Sequence, residues 1–314
     1  MTTVKTAVIG VGVQGQRHAA KLAALERARL VGVADIDVER CSAVADEFGT
    51  ECVPDYHDLL GAVDAVAIAA PTPAHFNITR EFLEHGVHVL LEKPIATTME
   101  EARRLVELAE SKGLVFQIGH LERFNPAVLA MADFIDRPQF IESNRIAPYR
   151  PRALDVSVVL DLMIHDIDLV HSFVQSPMKN VDAVGRRVFS DNIDVANARI
   201  RFESGCVANV TSSRISMKTE RSLRVFQSDS YVSADLQNKT VTSYRKRGSG
   251  PVTGPENVKI DAQSYGDSDA LMDQALAFVE SVAGGPPPLV SGRTGLQALE
   301  TAMIIADLVG QDSG

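Results

Sequence analysis

Ala7-Val8-Ile9-Gly10-Val11-Gly12-Val13-Gln14-Gly15 sets three glycines in G-x-G-x-x-G spacing, where a β-branched apolar run gives way to a segment of helical period. Gly10 permits a tight turn, Gly12 lets the backbone approach a pyrophosphate, and Gly15 lets a helix pack closely on a sheet. The helix that follows, near Gln14–Leu25, presents unpaired N–H groups and the positive end of its dipole to that phosphate. The next apolar run, Leu30-Val31-Gly32-Val33-Ala34, ends at Asp35, where a carboxylate can accept hydrogen bonds from an adenosine ribose. Taken singly, the glycines are a strand–helix turn and Asp35 a turn residue. In this order, strand, glycines, helix and acid imply a dinucleotide-binding unit. Asp35 and Asp37 repel a 2′-phosphate and no arginine immediately follows Asp35, which favours NAD over NADP; Arg40 keeps NADP open.

Outward from this loop, short apolar runs alternate with helical stretches through the first 120 residues. The runs at Thr6–Ile9, Leu30–Ala34, Ala65–Ala69, Val87–Leu91 and Leu114–Ile118 predict strands. Gln14–Leu25, Val38–Phe48, Ala74–Glu84 and Met99–Ser111 predict helices, the last opened by Thr97 or Thr98 as N-cap. That alternation is a doubly wound, parallel Rossmann sheet. After Pro126 the texture changes. Helices near Ala127–Ile135 and Leu160–Phe173 flank a strand; Asp194–Phe202 and Cys206–Ser212 then flank the hairpin signal Glu203-Ser204-Gly205, and alternating strands run from Leu223 to about Ser243. Helices return at Ala270–Val282 and Gly295–Leu308, around the loop Gly284-Gly285-Pro286-Pro287-Pro288. The fold class is α/β: a Rossmann domain over residues 1–121, then an α+β domain over 122–314 with a large, mainly antiparallel open sheet. The open face of such a sheet buries itself against a copy, which predicts a homodimer or homotetramer.

Composition narrows the partners. A chain of 314 residues with 45% hydrophobic and 23% charged content has enough material for two cores. The net charge of −10 disfavours nucleic acid, whose phosphates need a basic surface. Tyr244-Arg245-Lys246-Arg247 is a local basic cluster, read as a solvated loop edge. Met1-Thr2-Thr3-Val4-Lys5 leads into a strand without a signal-type core, and no apolar run is long enough to span a membrane, so a cytoplasmic location is expected. Cys41, Cys52 and Cys206 form no C-x-x-C pair and suggest neither a disulfide framework nor a zinc site.

Leu91-Glu92-Lys93-Pro94, after the strand Val87–Leu91, together with the glycine loop, resembles the glucose–fructose oxidoreductase, inositol dehydrogenase and MocA (Gfo/Idh/MocA) family. The resemblance implies that Lys93 points into the active site beside the nicotinamide and that Pro94 fixes its turn. An ammonium there stabilises developing alkoxide charge and eases removal of the hydroxyl proton. Asp161-Leu162-Met163-Ile164-His165-Asp166 resembles the family's D-x-x-x-H segment. Its spacing puts Asp161 and His165 on one helix face, with Asp168 able to extend it. A histidine titrating near pH 6.5 can accept a hydroxyl proton. Read without the family, the pair is a helix-surface hydrogen bond; a metal site from Asp161, His165 and Asp168 is a third reading, and none is expected because lysine supplies the positive charge. The resemblance also places Ala70-Pro71-Thr72-Pro73-Ala74-His75 beside the cofactor, with Thr72 in place of a frequent asparagine, and gives Val290–Leu296 a packing role. The expected catalytic residues are thus Lys93, His165 and Asp161. The expected cofactor residues are Gly10, Val11, Gly12, Val13, Gln14, Gly15, Asp35, Ala70, Pro71, Thr72, His75, Glu92, Lys93 and His120.

Gly119-His120-Leu121-Glu122-Arg123-Phe124-Asn125-Pro126 crosses the expected domain boundary and resembles the G-H-x-E-R-F-N-P segment of UDP-N-acetylglucosamine 3-dehydrogenases, as does Asp155–Leu162. Those enzymes oxidise the sugar 3-hydroxyl to a ketone, which a partner aminotransferase aminates for lipid A with amide-linked chains. A nucleotide-sugar needs cations for its diphosphate, and Arg123, Arg145, Arg150 and Arg152 are near the expected site, although each alone also reads as a surface arginine. Glu122 and Asn125 either bind sugar hydroxyls or start the following helix. The expected substrate residues are Lys93, Glu122, Arg123, Asn125, Arg152, Asp161 and His165. Two other functions stay open: a dehydrogenase of a free sugar or inositol, and a non-catalytic dinucleotide-binding regulator.

Overall fold

The apolar run before Gly10 is an interior strand of a parallel sheet, paired on both sides. The computed structural model describes residues 3–150, 156–266 and 268–311. Its first half alternates β1 (Val4–Ile9), α1 (Val13–Ala24), β2 (Ala28–Ala34), α2 (Val38–Phe48), β3 (Glu51–Val53), β4 (Ala65–Ile68), α3 (Thr72–Glu84), β5 (His88–Leu91), α4 (Met99–Ser111) and β6 (Phe116–Ile118). These six strands form one sheet in the order β3-β2-β1-β4-β5-β6, and every pairing is parallel. The direction of winding therefore reverses between β1 and β4, so the glycine loop and the loop after β4 open side by side at the strands' carboxyl ends. Thr98 caps α4 in a full capping box with Glu101.

One strand here escaped the periodicity. Glu51-Cys52-Val53 is only three residues long and pairs with β2 at the sheet edge. It also carries a correction. Gly49, in the left-handed region at φ 63°, ends α2 and turns the chain back, and Cys52 is joined to Cys41 in a disulfide. No pairing was legible in the spacing, because the turn that makes the two meet is a tertiary feature. Reducing it should cost the native state about 2–3 kcal/mol through the freed loop. Urea unfolding with and without reductant checks this, alongside alkylation, which should label only Cys206 in unreduced, denatured protein.

The second half contains α5 (Pro126–Ala132), β7 (Phe140–Ile146), α6 (Ile164–Val174), β8 (Met178–Arg186), β9 (Val195–Phe202), β10 (Val207–Ser213), β11 (Glu220–Phe226), β12 (Ser230–Asp235), β13 (Thr240–Lys246), β14 (Val258–Ser264), α7 (Ala270–Val282) and α8 (Gly292–Gln311). Its strands form an eight-stranded sheet in the order β14-β13-β12-β11-β7-β10-β9-β8. Only β7 with β10 runs parallel; the other neighbours are antiparallel. Alternation sorts the side chains: Ile141, Ala198, Ile200, Val210, Leu223, Val225, Val232 and Val241 are buried on one face. On the other, Phe140, Phe226, Tyr231 and Tyr244 stack ring on ring across four strands in register.

The chain divides into two compact units, Met1–Leu121 with Asp269–Leu296, and Glu122–Ser268 with Gln297–Gly314. The second unit is not continuous over 122–314: Asp269–Leu296 belongs to the first. Ala275, Phe278 and Val279, an i, i+3, i+4 stripe on α7, are fully buried with Ala19 and Leu22 of α1 in the first unit's core. An apolar stripe states that a helix packs; it does not state against which sheet.

Candidate active site

In the first unit, β1 and β2 end on a prepared anion site. Gly12 is the N-cap of α1 without any side-chain capping bond, and no acidic residue stands in the first turn. The free N–H groups there face outward, which suits a pyrophosphate. Gly10 takes φ +81°, and a Cβ on Gly15 would sit 1.7 Å from the Gly10 carbonyl oxygen. Those two positions admit glycine alone. A pocket of about 730 Å³ opens beside this loop, bounded by Gly10, Gly12, Asp35, Ala70 and Pro71 of the expected cofactor residues. It is completed by groups the sequence did not single out, among them Ile36, Pro54, Tyr56 and Asn77. Its volume, its glycine floor and the uncapped helix fit a dinucleotide, with the phosphates at α1 and the adenosine toward Asp35.

Asp35 is built into this rim rather than simply exposed on it. Its carboxylate accepts the Val11 N–H at 2.7 Å and the Asp37 N–H at 2.9 Å, and Arg40 Nη2 donates to it at 2.8 Å. Partial burial pushes its pKa up, but the Arg40 and backbone hydrogen bonds outweigh that and hold it below the usual carboxylate range. Asp37, in turn, is the N-cap of α2.

The remaining expected cofactor residues, Val11, Val13, Gln14, Gly15, Thr72, His75, Glu92, Lys93 and His120, do not bound that pocket. Thr72 opens α3. His120 is buried just past β6. His75 is buried with Nδ1 2.8 Å from the Pro94 carbonyl oxygen and Nε2 2.8 Å from that of Ala70, so it ties the loop after β4 to the turn after β5. Burial lowers its pKa more than the two carbonyls raise it. Lys93 follows β5, its peptide to Pro94 is cis, and the neighbouring Glu92 turns inward onto His18 of α1.

In the second unit, a π-helical turn, Val159–Met163, leads into α6, which places Asp161 in that wide turn and His165 in the first turn of the α-helix. A π turn at such a position often marks a functional site. Among the described residues no group of three or more His, Cys, Asp or Glu side chains is arranged for a metal ion. Asp168 instead lies buried with Arg123 Nη1 3.4 Å from its Oδ1.

The arginines reserved for a diphosphate divide. Arg145 is 4% exposed and donates through Nε and Nη2 to Asp166 at 2.8 and 3.2 Å, and through Nη1 to Glu122 at 3.0 Å. Burial works against its charge, and the two carboxylates overcome that, so its pKa rises rather than falls. Arg221 adds a second cation to Glu122 at 3.2 Å. Arg145 is therefore a neutralised core cation, which corrects its candidacy for phosphate. Arg150 is exposed, and Arg152 lies outside the described residues. Asn125 takes the helix-starting role: its Oδ1 accepts the Ala127 N–H at 3.0 Å while its Nδ2 donates to the Leu236 carbonyl at 2.8 Å. No helix among the described residues is long and apolar enough to cross a membrane.

Residues 4–120 match the family model of the Gfo/Idh/MocA oxidoreductases with an NAD-binding Rossmann fold, and residues 136–232 match the C-terminal domain model of the same family. The chain belongs to the Gfo/Idh/MocA family. It is 38% identical over 305 residues to the UDP-N-acetylglucosamine 3-dehydrogenase of Acidithiobacillus ferrooxidans, covering 96% of each chain. A solved structure of the enzyme of that name from the same organism superposes with a TM-score of 0.92 at 36% identity, over 99% of both chains. The scyllo-inositol dehydrogenase of Lactobacillus casei, solved with NAD(H) and scyllo-inositol, shares the fold with a TM-score of 0.82 at 20% identity, over 99% of this chain and 98% of its own. As a Gfo/Idh/MocA member, the protein is an oxidoreductase that acts on CH–OH groups with a nicotinamide dinucleotide.

Proposed function

We propose that the protein oxidises the 3-hydroxyl of UDP-N-acetylglucosamine to the 3-keto sugar with NAD, and that an aminotransferase takes up the ketone on the way to a lipid A-type precursor. The observation that carries the substrate is the 38% identity to a UDP-N-acetylglucosamine 3-dehydrogenase along 96% of both chains. Asp35 supports NAD: its ionised carboxylate, held by four hydrogen bonds including two from Arg40, faces the place where a 2′-phosphate would add negative charge.

When bound, the cofactor supplies the hydride acceptor, its nicotinamide C4. The chain supplies the rest. The uncapped α1 N-terminus and the glycine loop hold the pyrophosphate, and Asp35 holds the adenosine ribose. His165 accepts the C3 hydroxyl proton, Lys93 steadies the alkoxide as the C–H bond breaks, and Asp161 orients base or substrate. Glu122 acts indirectly in this scheme, since its carboxylate already binds two arginines. Arg123 and Arg152 remain the proposed substrate cations. A homodimer or homotetramer remains proposed too, supported by the half-exposed aromatic rung of the large sheet.

The test is NADH formation on mixing the protein with NAD and UDP-N-acetylglucosamine, with a coupled aminotransferase pulling the ketone forward. Signal is expected there and not with free N-acetylglucosamine or inositol. With NADP in place of NAD, kcat/KM should fall at least about tenfold. Signal only with a free polyol overturns the substrate, and equal use of both cofactors overturns the role of Asp35.

A further inference from the structure

Three separate sequence motifs of the first unit converge on one largely buried charge, the carboxylate of Glu92, whose side chain is 17% exposed. From the glycine-loop helix comes His18, whose side chain is 2% exposed and whose Nε2 donates to Glu92 Oε1 at 2.8 Å. From the lysine turn come the backbone N–H and the charge of Lys93, both of which favour the ionised form of this carboxylate. From the end of β6 comes Gly119: a Cβ there would stand 2.9 Å from Glu92 Oε2 and 3.1 Å from its Cα. Gly119 is thus the residue that makes room for the carboxylate.

A carboxylate buried to this extent is costly unless it is paired and hydrogen-bonded. Burial pushes the Glu92 pKa up, and the His18 hydrogen bond leads the effects that bring it below the ordinary range. The side chain is therefore an anion at neutral pH. His18 lies six residues past the Gly12 N-cap, about 9 Å along the same rigid helix at 1.5 Å per residue. The element that receives the pyrophosphate at its first turn grips the lysine turn at its second.

We propose that His18 and Glu92 are positioning residues: together they fasten the Lys93 turn to the phosphate-binding helix and set a fixed negative charge next to the lysine in the chain. This rests on the reading of Lys93 as the group that acts on the substrate hydroxyl. Neither residue touches substrate; both act through Lys93.

The experiment uses the full chain and two readouts. In the first, lysines are reductively methylated with a carbon-13 label and the Lys93 resonance, assigned by its loss in Lys93→Arg, is titrated by NMR. Glu92→Gln, nearly isosteric, should lower the Lys93 midpoint by about one pH unit. In the second, kinetics compare His18→Leu with His18→Gln, whose amide N–H can still donate to Glu92. His18→Leu should lower kcat about 10- to 100-fold with the KM for NAD changed less than about threefold, and His18→Gln should recover most of that loss. An unmoved Lys93 titration in Glu92→Gln overturns the proposal. So does a His18→Gln enzyme as impaired as His18→Leu. If Lys93→Arg proves fully active while the Lys93 midpoint still moves in Glu92→Gln, the pair stands and the catalytic reading of Lys93 falls.

Discussion

Lys93→Met should lower kcat about 1,000-fold, within the range a positioned proton-transfer or charge-stabilising group supplies, while NADH affinity changes less than about threefold. The asymmetry follows from where the residue stands. The dinucleotide is expected to bind through the α1 N-terminus, the glycine loop and the Asp35 rim, and Lys93 bounds none of that pocket. What Met removes is a cation at the end of β5, on a turn tied to Ala70 through His75 and to α1 through Glu92. Negative charge develops on the substrate oxygen in the transition state and not in the bound ground state, so the loss appears in kcat rather than in binding. Steady-state kinetics with UDP-N-acetylglucosamine and fluorescence titration with NADH read the two quantities separately. Turnover near that of the native enzyme would remove Lys93 from the chemistry. An equal loss of NADH affinity and turnover would make it a cofactor ligand instead.

The parts of this fold visible in the sequence are those in which one local pattern has one structural meaning. G-x-G-x-x-G between a strand and a helix describes a turn that only glycine can make, and the structure puts Gly10 and Gly15 where a side chain would collide. Strict alternation in β9 through β13 specifies one buried and one uncovered face, and both are found. What was hidden depends on distant partners. The α7 stripe is as legible as any other, yet its burial against α1 is decided by how the chain returns after the large sheet. Arg145 reads as a diphosphate cation or a surface arginine because nothing local records that its strand and the helix carrying Asp166 face each other there. His18 was readable in principle. It falls in the buried stripe Gly15, His18, Ala19, Leu22 of α1, and an imidazole within an apolar stripe requires a polar partner. The stripe announces that requirement without naming Glu92.

Arg145→Met should destabilise the protein by about 3–5 kcal/mol, as breaking one side of a buried ion pair does. Among the described residues the arginine is, with Arg214, one of two buried arginines, and it neutralises two carboxylates at once: Asp166, 1% exposed, and Glu122, whose side chain is 12% exposed. Methionine fills a similar space and leaves both acids facing an apolar neighbour, with Arg221 remaining only for Glu122. The sign of the pH dependence separates this account from simple loss of packing. Burial pushes the Glu122 pKa up, and Arg145 foremost, together with Arg221 and Asn125, more than offsets it, so the native pKa lies below the unfolded one. A depressed carboxylate contributes stability above its unfolded pKa, near 4.3, and that contribution is lost as pH falls through the native pKa. In Arg145→Met the leading offset is gone. The variant's deficit, measured by urea unfolding, should then be largest at neutral pH and shrink toward pH of about 4, where protonation relieves the stranded acids. A deficit that stays constant across that interval would mean the arginine contributes volume alone. Because Asp166 directly follows His165 on α6, the same variant carries a second consequence: the proposed base loses the anchor that sets its helix, and kcat should fall even in the fraction that remains folded.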